Sequence, residues 1–283
     1  MATVTTFGVI GAGQMGAGIA QVAAASGIQV ILQDISQEFV DRGMATIARN
    51  LQRGVDKGKM AEEEKQAILA RVKPVTEISA MRDADFVVEA ASENEEIKFK
   101  IFAQLDELCP PHAILSSNTS SIPIGRIAAR TRRPEKVIGM HFMNPVPVMK
   151  LVEVIRALPT SEETFRTTVA LAEKMGKTPA VASDFPGFIA NRILLPMINE
   201  AIFCLYQGVG DKESIDTVMQ LGMNHPMGPL ALADLIGLDT CLAILETLHR
   251  GLGDPKYRPC PLLRQYVESG WLGRKTGRGF YSY

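Results

Sequence analysis

Short apolar runs and helix-like segments alternate at the start of the chain. Phe7–Ile10 is apolar and stops at a glycine, and Gln14–Ser26 carries Ala, Ile and Val at helical spacing before Gly27. Ile28–Leu32 is a second apolar run, and Asp34 follows it. This order predicts a strand, a glycine turn, a helix and a second strand, which together form one βαβ unit.

The same alternation continues to about residue 184. Gln37–Arg71 has helical spacing and predicts two helices broken near Gly58, and Glu95–Leu108 predicts another helix that ends at a pair of prolines. Further apolar runs predict strands at Asp85–Ala90, Ala113–Ser117, Lys136–Phe142, Lys150–Ile155 and Thr178–Ala182. Strands that alternate with helices favour a mostly parallel sheet covered on both faces, so the predicted fold class is α/β of Rossmann type.

The pattern becomes helical after Asp184. A long apolar segment follows, and helices are predicted at Asp211–Leu221, Pro229–Arg250 and Pro261–Ser269. We therefore expect two domains, a Rossmann-type domain over residues 1–184 and an all-α domain over residues 185–283. The helices of the second domain are more apolar than one small domain needs, which favours a homodimer interface there.

Composition narrows the classes of function. Hydrophobic residues make up 46% of the chain, charged residues 22%, and the net charge is -1. The chain lacks the basic surplus of a nucleic-acid-binding protein, and it has no apolar stretch long enough for a membrane helix. Its four cysteines form no CxxC pair, and no Cys/His cluster has metal-ligand spacing, so we expect no metal site. With no targeting segment recognised, a cytoplasmic location is the expectation.

A glycine-rich turn lies between the first predicted strand and the first predicted helix. Gly11, Gly13 and Gly16 match the pattern GxGxxG, with Gln14 and Met15 inside it. Here the motif has the context that a dinucleotide-binding site requires: a tight turn, a backbone open to pyrophosphate, and a helix N-terminus that attracts anions. The alternative is a glycine turn with no ligand.

Asp34 ends the second predicted strand, where a carboxylate can accept hydrogen bonds from the ribose hydroxyls and repels a 2′-phosphate. No arginine lies beside it, since the nearest is Arg42. The sequence therefore predicts NAD rather than NADP; the alternative is that Asp34 only caps the next helix.

A second group of polar residues follows later strands. His141 ends a predicted strand, Ser120 lies just past another, and Glu153 lies inside the apolar strand that follows the turn at Asn144–Pro145. A glutamate in such a strand needs a partner, and His141 is available because the chain turns back at its prolines. The alternative is a core histidine and a strand-edge glutamate that never meet.

These segments resemble the L-3-hydroxyacyl-CoA dehydrogenase family, and most of all its stand-alone bacterial members. The resemblance rests on GVIGAGQMGAGIA, SNTSS, GMHFMNPVPVMKLVEVI, DFPGFIANRIL and GRKTGRGFYSY, which span almost the whole chain in the same order. It implies an NAD-dependent oxidoreductase that acts on a short 3-hydroxyacyl-CoA, with 3-hydroxybutyryl-CoA as the expected substrate.

The resemblance also implies roles for single residues. His141 is expected to be the general base or acid at the 3-hydroxyl, with Glu153 holding its other ring nitrogen. Ser120 is expected to bind the substrate's 3-oxygen, and Asn191 to orient the substrate. Expected cofactor contacts, besides the glycine turn and Asp34, are Gln14, Met15, Glu93, Lys98, Asn118, Ser120, Asn144 and Lys275.

Coenzyme A is a polyanion, and its phosphates need cations. Arg49, Arg53 and Lys57 recur every four residues on one predicted helix face and are candidates to bind them. The alternative is a solvated helix face. Two other functions stay open: a dehydrogenase of 3-hydroxy sugar acids without CoA, and a nucleotide-binding protein without catalysis. A serine hydrolase is not supported, because no GxSxG motif is present.

Overall fold

A computed structural model describes residues 4–283. The described residues form two compact units, 4–184 and 185–283. A mostly parallel α/β sheet makes up the first unit and helices make up the second. Among the described residues, no helix is both long and apolar enough to cross a membrane.

The described part of the first unit contains one eight-stranded sheet. Its strands are β1 (Thr6–Ile10), β2 (Gln29–Gln33), β3 (Val72–Val75), β4 (Phe86–Glu89), β5 (Ile114–Ser117), β6 (Val137–Phe142), β7 (Leu151–Arg156) and β8 (Thr178–Ser183). Their order across the sheet is β3-β2-β1-β4-β5-β6-β7-β8, and every neighbouring pair is parallel except β6 with β7. The carboxyl ends of β1, β4, β5 and β6 therefore meet along one edge, where open α/β sheets bind ligands.

Helices connect these strands. They are α1 (Gln14–Ala25), α2 (Gln37–Asp56), α3 (Glu62–Ala70), α4 (Glu95–Leu108), α5 (Ile124–Ala128) and α6 (Glu162–Lys174). Three of these helices have a side-chain N-cap. Ser36, Asn94 and Ser161 each accept a hydrogen bond from a backbone N–H in the first turn of the following helix.

Three of these strands and α-helices were not predicted. β3 is an edge strand with a lysine and a proline, and only its first residue is buried, so its hydrophobic pattern is weak. The five-residue α5 is too short to show a helical period, and α6 carries three threonines on its buried face, which hides that face from a count of apolar residues.

The second unit consists of α7 (Ala190–Tyr206), α8 (Lys212–Thr217), α9 (Pro229–Ile236), α10 (Leu238–Leu252) and α11 (Pro261–Glu268). The predicted helix Asp211–Leu221 is confirmed, although its last part, Val218–Gly222, is a π-helical turn that continues α8. The predicted helix Pro229–Arg250 is wrong at its centre, because Gly237 adopts φ 101° and separates α9 from α10. A glycine in that conformation ends a helix, since L-residues rarely adopt it.

The C-terminal segment is held by two buried aspartates of the second unit. Asp234 accepts hydrogen bonds from the backbone N–H groups of Phe280 and Tyr281, each at 2.9 Å. Asp216 accepts from the first N–H groups of α9 and from the Tyr281 hydroxyl at 3.0 Å. These hydrogen bonds satisfy the two buried carboxylates and hold the C-terminal segment against α8 and α9.

Candidate active site

The turn between β1 and α1 needs two of its three glycines for its own geometry. Gly11 has φ 98°, and a Cβ there would lie 2.7 Å from the Ala90 carbonyl oxygen. A Cβ on Gly16 would lie 1.7 Å from the Gly11 oxygen, so no side chain fits between helix and turn. Gly13 is different, because a Cβ there would meet nothing within 4 Å. Packing inside the protein does not explain a glycine at position 13, but the close approach of a ligand does.

The residues around this turn fit a dinucleotide. The N-terminus of α1 has no side-chain cap and no acidic residue in its first turn, so its N–H groups and positive end can meet a pyrophosphate. Asp34 lies just after β2 and is half-buried; its Oδ2 accepts from the Ala12 N–H and its Oδ1 from the Ile35 N–H, both at 2.7 Å. A carboxylate has about four acceptor positions, so Asp34 is fixed by the backbone and keeps acceptors for ribose hydroxyls.

His141 and Glu153 are in direct contact. They face each other in the antiparallel register of β6 and β7, and His141 Nδ1 lies 2.8 Å from Glu153 Oε2. Both are buried, His141 at 8% and Glu153 at 1% exposure. Directly opposed residues of an antiparallel pair point to the same face of the sheet, so the strand register itself makes this pair. The predicted pairing is confirmed.

Glu93 holds the turn that carries Ser120. Its Oε1 accepts hydrogen bonds from the Thr119 hydroxyl at 2.6 Å and from the backbone N–H groups of Ser120 and Ser121 at 3.0 and 3.1 Å. Burial acts to raise the pKa of Glu93, but the Lys98 ammonium and these hydrogen bonds outweigh it and hold that pKa below its usual value. Glu93 is therefore a fixed negative charge beside Ser120.

Lys98 is buried at 1% exposure and forms ion pairs with two carboxylates. Its Nζ lies 2.8 Å from each oxygen of Glu89 and 3.4 Å from Glu93 Oε2. Glu89 was not identified from the sequence, although a glutamate at the end of the apolar run DFVVEA was a signal of the same kind as Glu153.

Asn118 and Asn144 have partners within the first unit. The Asn118 side-chain oxygen accepts from the Phe142 N–H at 2.8 Å and so links the ends of β5 and β6. The Asn144 side-chain oxygen accepts from Gln14 Nε2 at 3.0 Å, which joins the loop after β6 to the first turn of α1. Met15, next to Gln14, packs against the buried core below the turn.

Lys177 was missed by the sequence analysis. Its Nζ donates to the Met149 carbonyl at 2.8 Å and to the Val146 carbonyl, and burial lowers its pKa. None of the ion pairs formed by residues 4–283 involves it. It holds the loop that begins at Asn144.

Arg49, Arg53 and Lys57 lie along the exposed face of α2 and at its end, as the spacing predicts. Within the described chain they form no ion pair, whereas Arg42 on the same helix lies 3.6 Å from Glu38. Exposed cations that are not paired with a carboxylate are available to attract an anion.

In the second unit, Asn191 is the second residue of α7, and its N–H donates to the Gly187 carbonyl. Lys275 Nζ lies 2.6 Å from Asp239 Oδ2. Within residues 4–283, no three His, Cys, Asp or Glu side chains come close enough together to hold a metal ion.

Family models match nearly the whole chain. The NAD binding domain of 3-hydroxyacyl-CoA dehydrogenase matches residues 6–185, and the C-terminal domain of the same enzyme matches residues 187–283. The chain belongs to the 3-hydroxyacyl-CoA dehydrogenase family. The predictions of an NAD-dependent dehydrogenase, of NAD as cofactor and of the α/β fold class are thereby confirmed.

Individual members of the family are similar over their full length. A probable 3-hydroxybutyryl-CoA dehydrogenase of Bacillus subtilis (strain 168) is 61% identical over 275 residues, which cover 97% of this chain and 96% of that protein. A 3-hydroxybutyryl-CoA dehydrogenase of Bradyrhizobium diazoefficiens is 57% identical over 282 residues. The aligned region covers 100% of this chain and 96% of that protein. The crystal structure of (S)-3-hydroxybutyryl-CoA dehydrogenase from Ralstonia eutropha has 50% identity, a TM-score of 0.98 and 99% coverage of both chains.

Gly13→Ala tests whether the open space at the turn serves the cofactor. Gly13 has φ -66° and ψ -172°, which alanine adopts without strain, so the melting temperature should stay within about 2 °C of wild type. The added methyl group would stand where the pyrophosphate approaches, so the Kd for NADH should rise on the order of tenfold or more. Fluorescence titration with NADH measures it, and an unchanged Kd would contradict the assigned site.

Proposed function

We propose that this dehydrogenase interconverts (S)-3-hydroxybutyryl-CoA and acetoacetyl-CoA with NAD(H), with His141 as the general acid and base. The proposal rests on the 2.8 Å contact between His141 Nδ1 and Glu153 Oε2 at the edge of the sheet that also carries the glycine turn. The short acyl chain is supported by relatives 57% and 61% identical that bear the name 3-hydroxybutyryl-CoA dehydrogenase.

His141 exchanges a proton with the substrate through Nε2. In oxidation Nε2 removes the proton of the 3-hydroxyl group, and in reduction it returns that proton to the 3-oxygen. Glu153 fixes the tautomer through Nδ1 and stabilises the imidazolium that forms. The glycine turn and Asp34 would hold the cofactor, which would supply a hydride acceptor for oxidation at C3 as NAD+ and a hydride donor for reduction as NADH.

The remaining residues position the reactants. Ser120 donates a hydrogen bond to the 3-oxygen, and Asn191 orients the substrate. Glu93, Lys98, Asn118 and Asn144 shape the nicotinamide end of the cofactor site, and Lys275 is proposed to contribute from the C-terminal segment. Support for these roles comes from the family resemblance and, for Glu93, from its bonds to the turn at residues 119–121.

Arg49, Arg53 and Lys57 are proposed to bind the phosphates of coenzyme A. Support comes from their shared face on α2 and from the absence of any carboxylate partner for them among residues 4–283. Arginine presents a planar fork that suits phosphate oxygens.

A homodimer formed through the second unit is the proposed assembly, with the cytoplasm as its proposed location. The helices α7 and α8 and the π-helical turn surround an apolar cavity of about 510 Å³, and Val209, Val218 and Leu221 nearby are 73%, 58% and 84% exposed. Clustered exposed apolar side chains mark association surfaces. Sedimentation at micromolar concentration should show about twice the 30.8 kDa chain mass, and a monomer would reject the dimer.

Acetoacetyl-CoA reduction, followed by NADH absorbance, tests the proposed function. Acetoacetate without CoA and NADPH are run beside it. Fast turnover only with the CoA ester and NADH is expected. Turnover of the free acid, or none with the ester, would support a sugar-acid dehydrogenase or a protein without catalysis.

His141→Gln should lower kcat by about 10²–10⁴ with NADH binding unchanged, because a general acid is lost. Glu153→Gln should lower kcat less, because the His141 ring loses the carboxylate that fixes its orientation and tautomer. The matched control is His112→Gln, since His112 also contacts a carboxylate, Asp85, at 3.2 Å, but is 60% exposed. Wild-type turnover in His141→Gln would reject the assignment.

Arg49→Ala combined with Arg53→Ala should raise the KM for acetoacetyl-CoA several-fold at low salt and less at high salt, because exposed charges are screened over roughly 10 Å at 0.1 M salt. The values of kcat and the KM for NADH should stay the same. Arg166→Ala, an exposed arginine of α6, is the control. An unchanged KM in the double variant would mean that Arg49, Arg53 and Lys57 only form a solvated helix face.

A further inference from the structure

A buried carboxylate lies below the turn that carries Ser120. Glu89 is the last residue of β4 and is 0% exposed, and both of its oxygens lie 2.8 Å from the Lys98 ammonium. A buried charge pair of this kind requires both partners, because either one alone would be an uncompensated charge.

Glu89 also binds the two chain segments on either side of this turn. Its Oε1 accepts from the Ala91 N–H at 2.8 Å, which fixes the start of the loop that leads to Glu93. Its Oε2 accepts from the Ser117 hydroxyl at 2.7 Å, and the Ser117 oxygen in turn accepts from the Thr119 N–H at 3.2 Å. One side chain thus anchors both the loop after β4 and the turn after β5.

Lys98 transmits this anchoring to Glu93. Its ammonium lies 3.4 Å from Glu93 Oε2, while Glu93 Oε1 accepts hydrogen bonds from the N–H groups of Ser120 and Ser121. Without the negative charge of Glu89, the ammonium would have Glu93 as its remaining carboxylate partner in this cluster. Glu93 would then be drawn toward Lys98, and its bonds to the turn would lengthen.

We propose that Glu89 is a positioning residue of this dehydrogenase, which holds Ser120 in place through Ser117 on one side and through Lys98 and Glu93 on the other. The inference rests on the proposed role of Ser120 at the substrate's 3-oxygen. A buried ion pair is often no more stabilising than apolar residues of the same volume, so a role in fixing geometry accounts for these charges better than stability does.

Glu89→Gln is the test, with Asp106→Asn as matched control. Asp106 is a buried carboxylate on the same helix as Lys98, pairs with Arg133 at 2.8 Å and has no bond to residues 117–121. We expect Glu89→Gln to lower kcat by about ten- to a hundredfold, because small misplacements of a reacting group are costly, with the KM for acetoacetyl-CoA nearly unchanged. Asp106→Asn should lower the melting temperature and leave kcat within about twofold. Ser117→Ala removes one of the anchoring bonds without removing a charge and should give a smaller loss of kcat in a stable protein.

Hydrogen exchange measured without cofactor gives a readout independent of activity. The amides of Thr119, Ser120 and Ser121 should exchange faster in Glu89→Gln than in wild type or Asp106→Asn, because the Ser117 and Glu93 oxygens that accept from them are displaced. Unchanged exchange in this segment would overturn the proposal.

Ser120→Ala separates the two proposals. If Glu89 acts through Ser120, adding Glu89→Gln to Ser120→Ala should change kcat by less than about twofold. Equal losses of kcat in both backgrounds, or wild-type kcat in Glu89→Gln while Ser120→Ala is impaired, would overturn the role of Glu89 alone. Wild-type kcat in Ser120→Ala would overturn the role of Ser120 and the inference that rests on it.

Discussion

The antiparallel pairing of β6 with β7 creates the contact on which the proposed chemistry depends. His141 faces Glu153 in this register, and a slip of one residue would turn one of the two side chains to the opposite face of the sheet. Gly139 helps to fix the register, since it lies opposite Ile155 and a Cβ there would come within 2.8 Å of that side chain and 3.0 Å of Ile124. The short loop between the strands permits only an antiparallel pair, because a parallel pair needs a long crossover.

Buried carboxylates organise the rest of this edge of the sheet. Glu89 at the end of β4 and Glu153 in β7 are both almost fully buried, and each contacts a basic side chain, Lys98 in one case and His141 in the other. A charge placed in an apolar strand is costly, and it is retained where a partner and backbone donors satisfy it. Glu93 differs because its side chain is 41% exposed. It is held by the hydrogen bonds that it accepts from the backbone N–H groups of Ser120 and Ser121.

The sequence allowed the central features of the fold and site to be predicted because each had a strong local signal. Hydrophobic periodicity predicted the βαβ unit, and glycine spacing predicted the turn beside Asp34. The unusual position of Glu153 in an apolar strand predicted its contact with His141. The edge strand β3 and the break at Gly237 had no such signal, since they depend on tertiary packing. The Glu89–Lys98 pair joins a strand to a helix, and only the folded chain shows which of several nearby acidic residues meets the lysine.

The C-terminal motif GRKTGRGFYSY shows that a strong family signal can be structural. Gly273 has φ 93°, and a Cβ there would lie 2.3 Å from the Asp234 carbonyl, while a Cβ on Gly279 would lie 1.9 Å from Asp234 Oδ1. These glycines, with the N–H groups of Phe280 and Tyr281, shape the segment around one buried aspartate. The motif is therefore explained in large part by the packing of the second unit. Lys275 pairs with Asp239 at 2.6 Å, so contacts within the second unit account for the position of its side chain.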